Sequence, residues 1–338
     1  MKRAIPILIV LLFCLSFVPR SASAGEENGD KVELRLRFTD GQQLTLTKTV
    51  EQNTTRTWND EERESKKTTS MTMALDVFSV DDDGTAYMKV TIESIALKRR
   101  DGGRWSYDSA NAPDLDEVPP PAVPFAAMVG EAFMMYLTAD GEVTEFEGVG
   151  KMLMVVTGKL DNADRAWGAA EELARHFAEE ALKRTFEGIF GFVPDEPVAV
   201  GDSWTRTINT DHGIPVAAEE KYTLTERSEG TATIELEAKL KPQERPEDEG
   251  DDAATGRGRG TVWYDVTGTQ KGTLTVDEAT GCLFKTAVTR ELEGKMVTSG
   301  FRGGDTERSM PVKSKTAITV ETHQQEQEAE AEDAPEPE

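Results

Sequence analysis

Cysteine is scarce in this chain of 338 residues, with two in all. Cys14 sits in an apolar leader, so once the leader is cleaved Cys282 stands alone and no intramolecular disulfide can form. The fold must rest on an ordinary hydrophobic core. Histidine is equally thin, limited to His176, His212 and His323. Zinc wants clustered Cys and His, and these three are scattered. No H-E-x-x-H, G-x-S-x-G or P-loop pattern occurs, and Ser203 with Asp211 and His212 would need folding to bring them together. The sequence therefore assigns no catalytic residue, no metal ligand and no cofactor. Positive charge is also in deficit: 38 Lys and Arg against 63 Asp and Glu leave a net charge of -25. Such a chain repels phosphate and carries no basic stripe, which excludes nucleic-acid partners and electrostatic docking on anionic membranes. Beyond the first two dozen residues no apolar run approaches the roughly 20 residues that span a bilayer.

What is present at the N-terminus is a three-part layout. Lys2 and Arg3 precede an apolar stretch over residues 4–18, followed by a Pro19-Arg20 break and Ala22-Ser23-Ala24 ahead of Gly25. This reads as a secretory signal peptide cleaved after Ala24, placing the protein in the periplasm or cell envelope with no membrane span left. The alternative, an uncleaved anchor, has a short apolar stretch for a span. A lipoprotein signal needs a small residue before its Cys, whereas Phe13 precedes Cys14. Cys282 follows a Gly turn and reads as a half-buried strand thiol rather than a reactive one.

The mature chain reads mostly as strands. Val32, Leu34, Leu36 and Phe38 alternate with charged residues, the period of a sheet with one wet face. Met71, Met73, Leu75 and Val77 share a face while Phe78 and Val80 fall on the other, and Ile95 and Leu97 are out of phase with Met88, Val90 and Ile92. Such phase changes indicate β-bulges in a strongly curved sheet. The acidic turn Asp81-Asp82-Asp83-Gly84 invites a calcium reading but lacks the spacing of an EF-hand loop, leaving a solvated hairpin turn as the simpler account. Residues 111–124 form a Pro-rich connector, read as a polyproline II spacer. Residues 151–160 form a short apolar helix. Ala163, Trp167, Ala170, Ala174, Phe177 and Ala181 then recur at helical spacing, beginning from Asp161 or Asn162 as cap.

The organisation expected is a signal peptide over 1–24, a single β-rich domain over 25–322 and a disordered acidic tail over 323–338. Within the domain, β-modules over 31–147 and 199–322 flank a helical insert over 149–192. Asp83-Gly84-Thr85-Ala86 and Glu229-Gly230-Thr231-Ala232 are alike enough to suggest a repeat, although hairpin turns resemble one another in any case. The fold class is α+β: a strongly curved, mostly antiparallel open half-barrel with the helices packed on its concave face. Eight methionines, among them Met73, Met88 and Met134, read either as core filler or as the lining of an adaptable apolar cavity.

The segment Pro194-Asp195-Glu196-Pro197-Val198-Ala199-Val200-Gly201-Asp202-Ser203-Trp204 resembles a P-x-x-P-V-x-V-G-D-S-W signature of exported bacterial proteins of unknown function. Those proteins in turn look similar to the LolA/LppX lipoprotein-carrier half-barrel, in which an open sheet curls around helices and an apolar cavity. The resemblance implies a non-catalytic exported protein that binds a lipid or other hydrophobic small molecule. Met73, Met88, Met134, Trp167, Phe177, Phe190 and Trp204 are the candidate cavity residues. The competing reading is an envelope scaffold with a filled core that contacts another envelope protein, and a more remote one is an exported hydrolase. Expression in a secreting bacterial host should yield a mature N-terminus at Gly25, checked by intact-mass and N-terminal analysis; a chain retaining residues 1–24 would overturn the leader reading.

Overall fold

The computed structural model describes residues 30–101, 103–112, 115–160, 173, 177–210, 213–243, 261–299 and 307–324. The leader, the cap candidates Asp161 and Asn162, the acidic loop over 244–252 and the tail beyond residue 324 lie outside them.

The described residues build one twelve-stranded sheet in which every pairing is antiparallel. The first half comprises β1 (Gln43–Trp58), β2 (Glu61–Val80), β3 (Ala86–Arg100), β4 (Arg104–Asp108), β5 (Ala132–Leu137) and β6 (Val143–Glu147). The second comprises β7 (Ser203–Thr210), β8 (Val216–Ser228), β9 (Thr231–Pro242), β10 (Thr261–Asp277), β11 (Leu283–Ser299) and β12 (Arg308–Gln324). Their spatial order is β6-β5-β3-β2-β1-β12-β11-β10-β9-β8-β7, with β4 paired to β3 off this path. The second half is a meander of neighbours in sequence, whereas in the first β4 and β5 both pair with β3; the two halves are joined where β1 pairs with β12 from Leu44↔Gln324 to Arg56↔Val312. The sheet stays open between β6 and β7. The chain between those strands is the helical insert, with α2 (Val149–Gly158) and α3 (Glu179–Phe190); the shorter α1 (Val123–Met128) precedes β5.

The curvature has local causes. A Cβ on Gly268 would lie 1.9 Å from the Glu291 carbonyl oxygen, and one on Gly294 would lie 2.1 Å from that of Asp265. Only glycine lets β10 and β11 approach this closely where they bend. Register shifts at Val77/Ser79 and Thr72/Met73 supply the expected bulges. After the first, Phe78 is turned out and exposed; across the second, Ile95 and Leu97 return to the buried face occupied by Met88, Val90 and Ile92. The acidic turn is a tight hairpin in which Asp83 Oδ1 accepts the Thr85 amide at 2.9 Å and Gly84 holds a φ of +86°.

The inner face and the helices share one apolar cluster. It contains Leu46, Leu75, Met88 and Ile92 from the sheet and Val149, Met152, Phe186 and Phe190 from the helices. Phe186 sits beside Phe133 and Phe146, with ring centroids 6.2 Å away from both, so α3 leans on the β5–β6 edge. Its C-terminus reaches the other edge. Arg206 on β7 donates to the Gly191 carbonyl at 2.6 Å and to the Asp140 carbonyl at 3.5 Å. A cation is favoured there because the helix presents unpaired carbonyls and the negative end of its dipole. The helix thus ties together two edges that do not pair.

Three expectations need correction. Residues 32–38 keep the alternating burial, with Leu34, Leu36 and Phe38 inside, but form no ladder beyond a bridge between Val32 and Val198. The segment instead ties together turns at one end of the sheet: Leu36 N–H donates to the Ala139 carbonyl and Arg37 N–H to that of Thr280. The connector over 111–124 is not an extended spacer. It holds short 3-10 turns and leads into α1, where Val123, Pro124, Ala127 and Met128 are buried. The helix carrying Ala181 begins at Glu179, with Ala178 at a non-helical ψ of 146°, so Phe177 and Ala181 do not belong to one continuous helix; Ala163, Trp167, Ala170 and Ala174 lie outside the described residues. Gly268→Ala should cost about 2 kcal/mol or more, because the added methyl meets backbone rather than a movable side chain. Urea unfolding measures this, and an unchanged midpoint would refute the account of the bend.

Candidate functional site

The strands β8 to β12 alternate cleanly, so a polar residue at an inward position has to be accommodated inside. Three occur side by side. Glu220 falls between Ala218 and Tyr222 on β8, Gln270 lies on β10, and Arg290 lies between Val288 and Leu292 on β11. Their exposures are 3%, 4% and 2%. Buried charge at this level requires partners, and each is provided. Gln270 donates its amide to Glu220 Oε1 at 2.6 Å and accepts from Arg290 Nε and Nη2 at 2.9 and 2.7 Å through Oε1. Arg290 Nη2 also donates to Thr210 Oγ1 at 3.1 Å. The Tyr222 hydroxyl donates to Glu220 Oε2. Gln270 is thus the neutral link between a carboxylate and a guanidinium, its one acceptor facing the cation and its donor the anion.

Above this network, α3 and the sheet enclose a cavity of about 50 Å³. One wall is apolar, formed by Ile189, Phe192, Leu236, Leu274, Val288 and Ile318; Lys48, Arg184, Glu220 and Arg290 supply its charged groups. Gly188 of α3 faces the space, and a Cβ there would meet nothing within 4 Å. The volume suits a few water molecules at most, far below the roughly 300 Å³ at which drug-sized ligand pockets begin.

The candidate residues from the sequence fall around this cavity rather than on it. Met73, Met88, Phe177 and Phe190 are buried in the main apolar cluster. Trp204 is half-buried: its indole N–H donates to the Phe192 carbonyl at 2.7 Å and its ring stacks on Tyr222 at 5.7 Å, so it supports the wall from behind. Met134 needs correcting. It pairs with Lys89 on the face opposite the buried Met135, next to Tyr136 on the outer surface. Trp167 lies outside the described residues. Ser203 Oγ shares a hydrogen bond with Thr223 Oγ1 on the exposed face, while Asp211 and His212 lie outside the described residues. The Cys282 thiol is buried, and burial raises its pKa, the opposite of an activated nucleophile. Among the described residues no group of three His, Cys, Asp or Glu could hold a metal ion.

The segment that carried the resemblance has a structural task. Asp202 Oδ2 accepts the Ala199 amide at 2.9 Å, Gly201 N–H donates to the Leu224 carbonyl and Leu224 N–H to that of Asp202. It fixes the entry to β7, and thereby one open edge of the sheet.

The chain belongs to a family of unknown function, DUF6263, which matches residues 83–283. No curated protein matches the sequence. Among solved structures, one described as lipid-protein interactions in lipovitellin is 7% identical with a TM-score of 0.43, covering 85% of this chain and 25% of that one. The present chain thus spans a quarter of the lipovitellin chain. A putative outer membrane lipoprotein-sorting protein domain from Vibrio parahaemolyticus is 10% identical with a TM-score of 0.13, covering 84% and 87%. The translocator domain of the autotransporter NalP from Neisseria meningitidis is 7% identical with a TM-score of 0.20, covering 85% and 90%.

Burial raises the Glu220 carboxyl above the ordinary 4.5, against hydrogen bonds from Tyr222 and Gln270 and the charge of Arg290, which pull it down. A carboxyl with a raised folded-state pKa binds more protons folded than unfolded. Its contribution is therefore greatest below the unfolded value and is lost as pH rises through the folded one. Glu220→Gln should thus gain stability relative to the wild type between about pH 4 and about pH 7. Urea titrations of both proteins at each pH test this, and equal differences at the two pH values would refute it.

Proposed function

We propose that this is an exported, non-catalytic binding protein that holds a lipid or other hydrophobic ligand between α3 and the inner face of its sheet. The observation that carries the reading is the cavity beneath α3, with an apolar wall on one side and a buried polar network at its floor. A ligand site of this kind wants a mainly apolar lining with a few placed polar groups to orient the guest. The export part of this reading rests on the leader-like layout of residues 1–24.

The resting cavity is too small for an acyl chain, so binding requires α3 to move outward. Its attachments allow that: the C-terminal end is fixed through Arg206 and Gly191, and the Val143 amide donates to Glu187 Oε1 at 3.3 Å. The packing of Phe186 against Phe133 and Phe146 is by side chains, which can slide or separate at less cost than a strand ladder. The same small volume favours a second reading, an envelope scaffold whose core is simply filled.

Gly188→Leu separates the two. The substitution meets no atom at Cβ and replaces a poor helix former, so the fold should be kept or stabilised by up to about 1 kcal/mol. Lipid extraction and mass spectrometry of the mature protein, with apolar-probe titration, should show ligand on the wild type and at least about tenfold weaker binding in the variant. If neither protein carries or binds an apolar molecule, the scaffold reading replaces the carrier.

A further inference from the structure

On the outer face of β9 to β12, cross-strand neighbours carry opposite charges. Lys271 faces Glu237, Lys285 faces Glu321, Lys313 faces Glu293 and Lys315 faces Glu291, all at 2.6 to 3.0 Å. The same face does the reverse on β2, β3 and β4. Lys66 lies opposite Arg100, and Arg100 opposite Arg104, so three cations stand in one row; Lys98 stands beside them, two residues along β3. The row runs on through Asn53 to the Lys315–Glu291 pair, which places like-charged and unlike-charged neighbours on one continuous face. All four cations are exposed, and none forms an ion pair among the described residues. Arg99, on the opposite face of β3, does pair, with Asp101 at 3.1 Å. Like charges directly opposite one another destabilise a sheet. In a chain with 63 acidic residues against 38 basic ones, a row of uncompensated cations points to an anionic partner. No basic run in the sequence announces the row, because three strands assemble it.

The strand that ends the row has a free edge. β4 pairs with β3 alone, which leaves its far side without a ladder among the described residues. Such an edge offers backbone donors and acceptors to an added strand. The alternation of β4 dictates what that strand should carry. Arg104 and Ser106 are exposed on the outer face, whereas Trp105 is half-buried and Tyr107 buried against the main apolar cluster. An added strand therefore sets one residue beside Arg104 and the next beside Trp105, a demand for an acidic residue followed by an apolar one. A broad anionic surface such as a membrane fits less well. Asp60, Glu61, Glu62 and Glu64 crowd the end of the neighbouring β1–β2 hairpin and would repel it, whereas a single strand is narrow enough to meet the cations alone. Asp108, at the other end of β4, already accepts the Ala110 amide at 3.0 Å.

We propose that β4 is a docking edge for an extended segment of a partner protein in which acidic and apolar residues alternate, its backbone paired to β4 and an acidic side chain against Arg104. Arg100 and Lys66 stand behind Arg104 and strengthen the attraction. Repulsion along the row is relieved when the acidic strand binds, so an arrangement that costs stability in the free chain contributes affinity in the complex. The edge shares no residue with the cavity under α3 and stands whether or not a ligand is carried there.

The test measures peptide binding to the full mature protein by fluorescence anisotropy. The probe is a labelled peptide of alternating sequence, Thr-Glu-Val-Glu-Val-Glu-Thr. Its controls are a counterpart with Lys in place of each Glu, a peptide of the same composition with the Glu residues in one block, and phosphatidylglycerol vesicles. The alternating acidic peptide should bind at least about tenfold more tightly than the block peptide, and the Lys counterpart should not bind. Arg104→Glu should lose about tenfold for the acidic probe and gain binding of the Lys counterpart, a reversal that misfolding cannot produce. Arg100→Thr should weaken the acidic probe while raising the Tm of the free protein, because it removes a like-charge pair. Equal binding of the block peptide would reduce the row to unspecific charge and overturn strand addition. Vesicles that displace the peptide would make a membrane the occupant and overturn the protein partner. Absence of binding by the alternating peptide, or unchanged binding in a folded Arg104→Glu variant, would overturn the docking edge itself. A lower Tm in Arg100→Thr would show the row to be structural and overturn its role in docking. None of these results bears on the carrier reading.

Discussion

The structure depends on the pairing of its first and last long strands. β1 and β12 share a continuous register from Leu44↔Gln324 to Arg56↔Val312, between segments roughly 260 to 280 residues apart in sequence. Without it there would be two separate antiparallel sheets of six strands each. With it the two halves become one sheet whose free edges, β6 and β7, are brought round to face the same helical insert. Closing so long a loop is slow but adds little thermodynamic cost beyond that of a shorter one, because loop entropy grows only with the logarithm of length. The chain order makes the opening unavoidable: the segment that would otherwise link β6 to β7 as a hairpin is the one that contributes α2 and α3.

Two kinds of closure follow. At one end of the sheet the backbone closes it, where the segment over 32–38 ties the β5–β6 and β10–β11 turns together and Arg35 pairs with Asp140 at 2.6 Å. Between the edges the closure is by side chains: Phe186 against Phe133 and Phe146 on one side, Arg206 on the helix C-terminus at the other. A strand ladder or backbone tie resists opening more than side-chain packing does.

The buried network on β8, β10 and β11 divides the inner face. Toward the helices lies the main apolar cluster; further along the same strands a second cluster gathers Val216, Ala218, Leu240, Val266, Leu292 and Val312. Glu220, Gln270 and Arg290 lie between them in a single row. A one-residue slip of any of the three strands would bury a lone charge or expose it on the wrong face, so the row also fixes register.

The β-rich architecture, the bulges beside Phe78 and before Ile95, and the placement of helices between two runs of strands were all legible in the sequence, because alternation and turn residues are local signals. The apolar cores of Met73, Met88, Phe177 and Phe190 were legible for the same reason. The site was not. Glu220, Gln270 and Arg290 sit 20 to 70 residues apart, and only the pairings 270↔290 on adjacent strands and the nearby β8 bring them into one hydrogen-bonded set. Each did leave a trace, a polar side chain at an apolar phase of an alternating strand, but a single strand cannot show whether such a residue meets a partner. Met134 shows the converse: residue type suggested a core position, and strand parity placed it outside. What the sequence determined by itself was thus periodicity, acidity and the lack of disulfide or motif chemistry, since these are properties of neighbours along the chain. What only the tertiary structure decided was the joining of β1 to β12, the buried Glu220–Gln270–Arg290 network and the cavity under α3, since each depends on contacts between residues that only the folded sheet brings within reach.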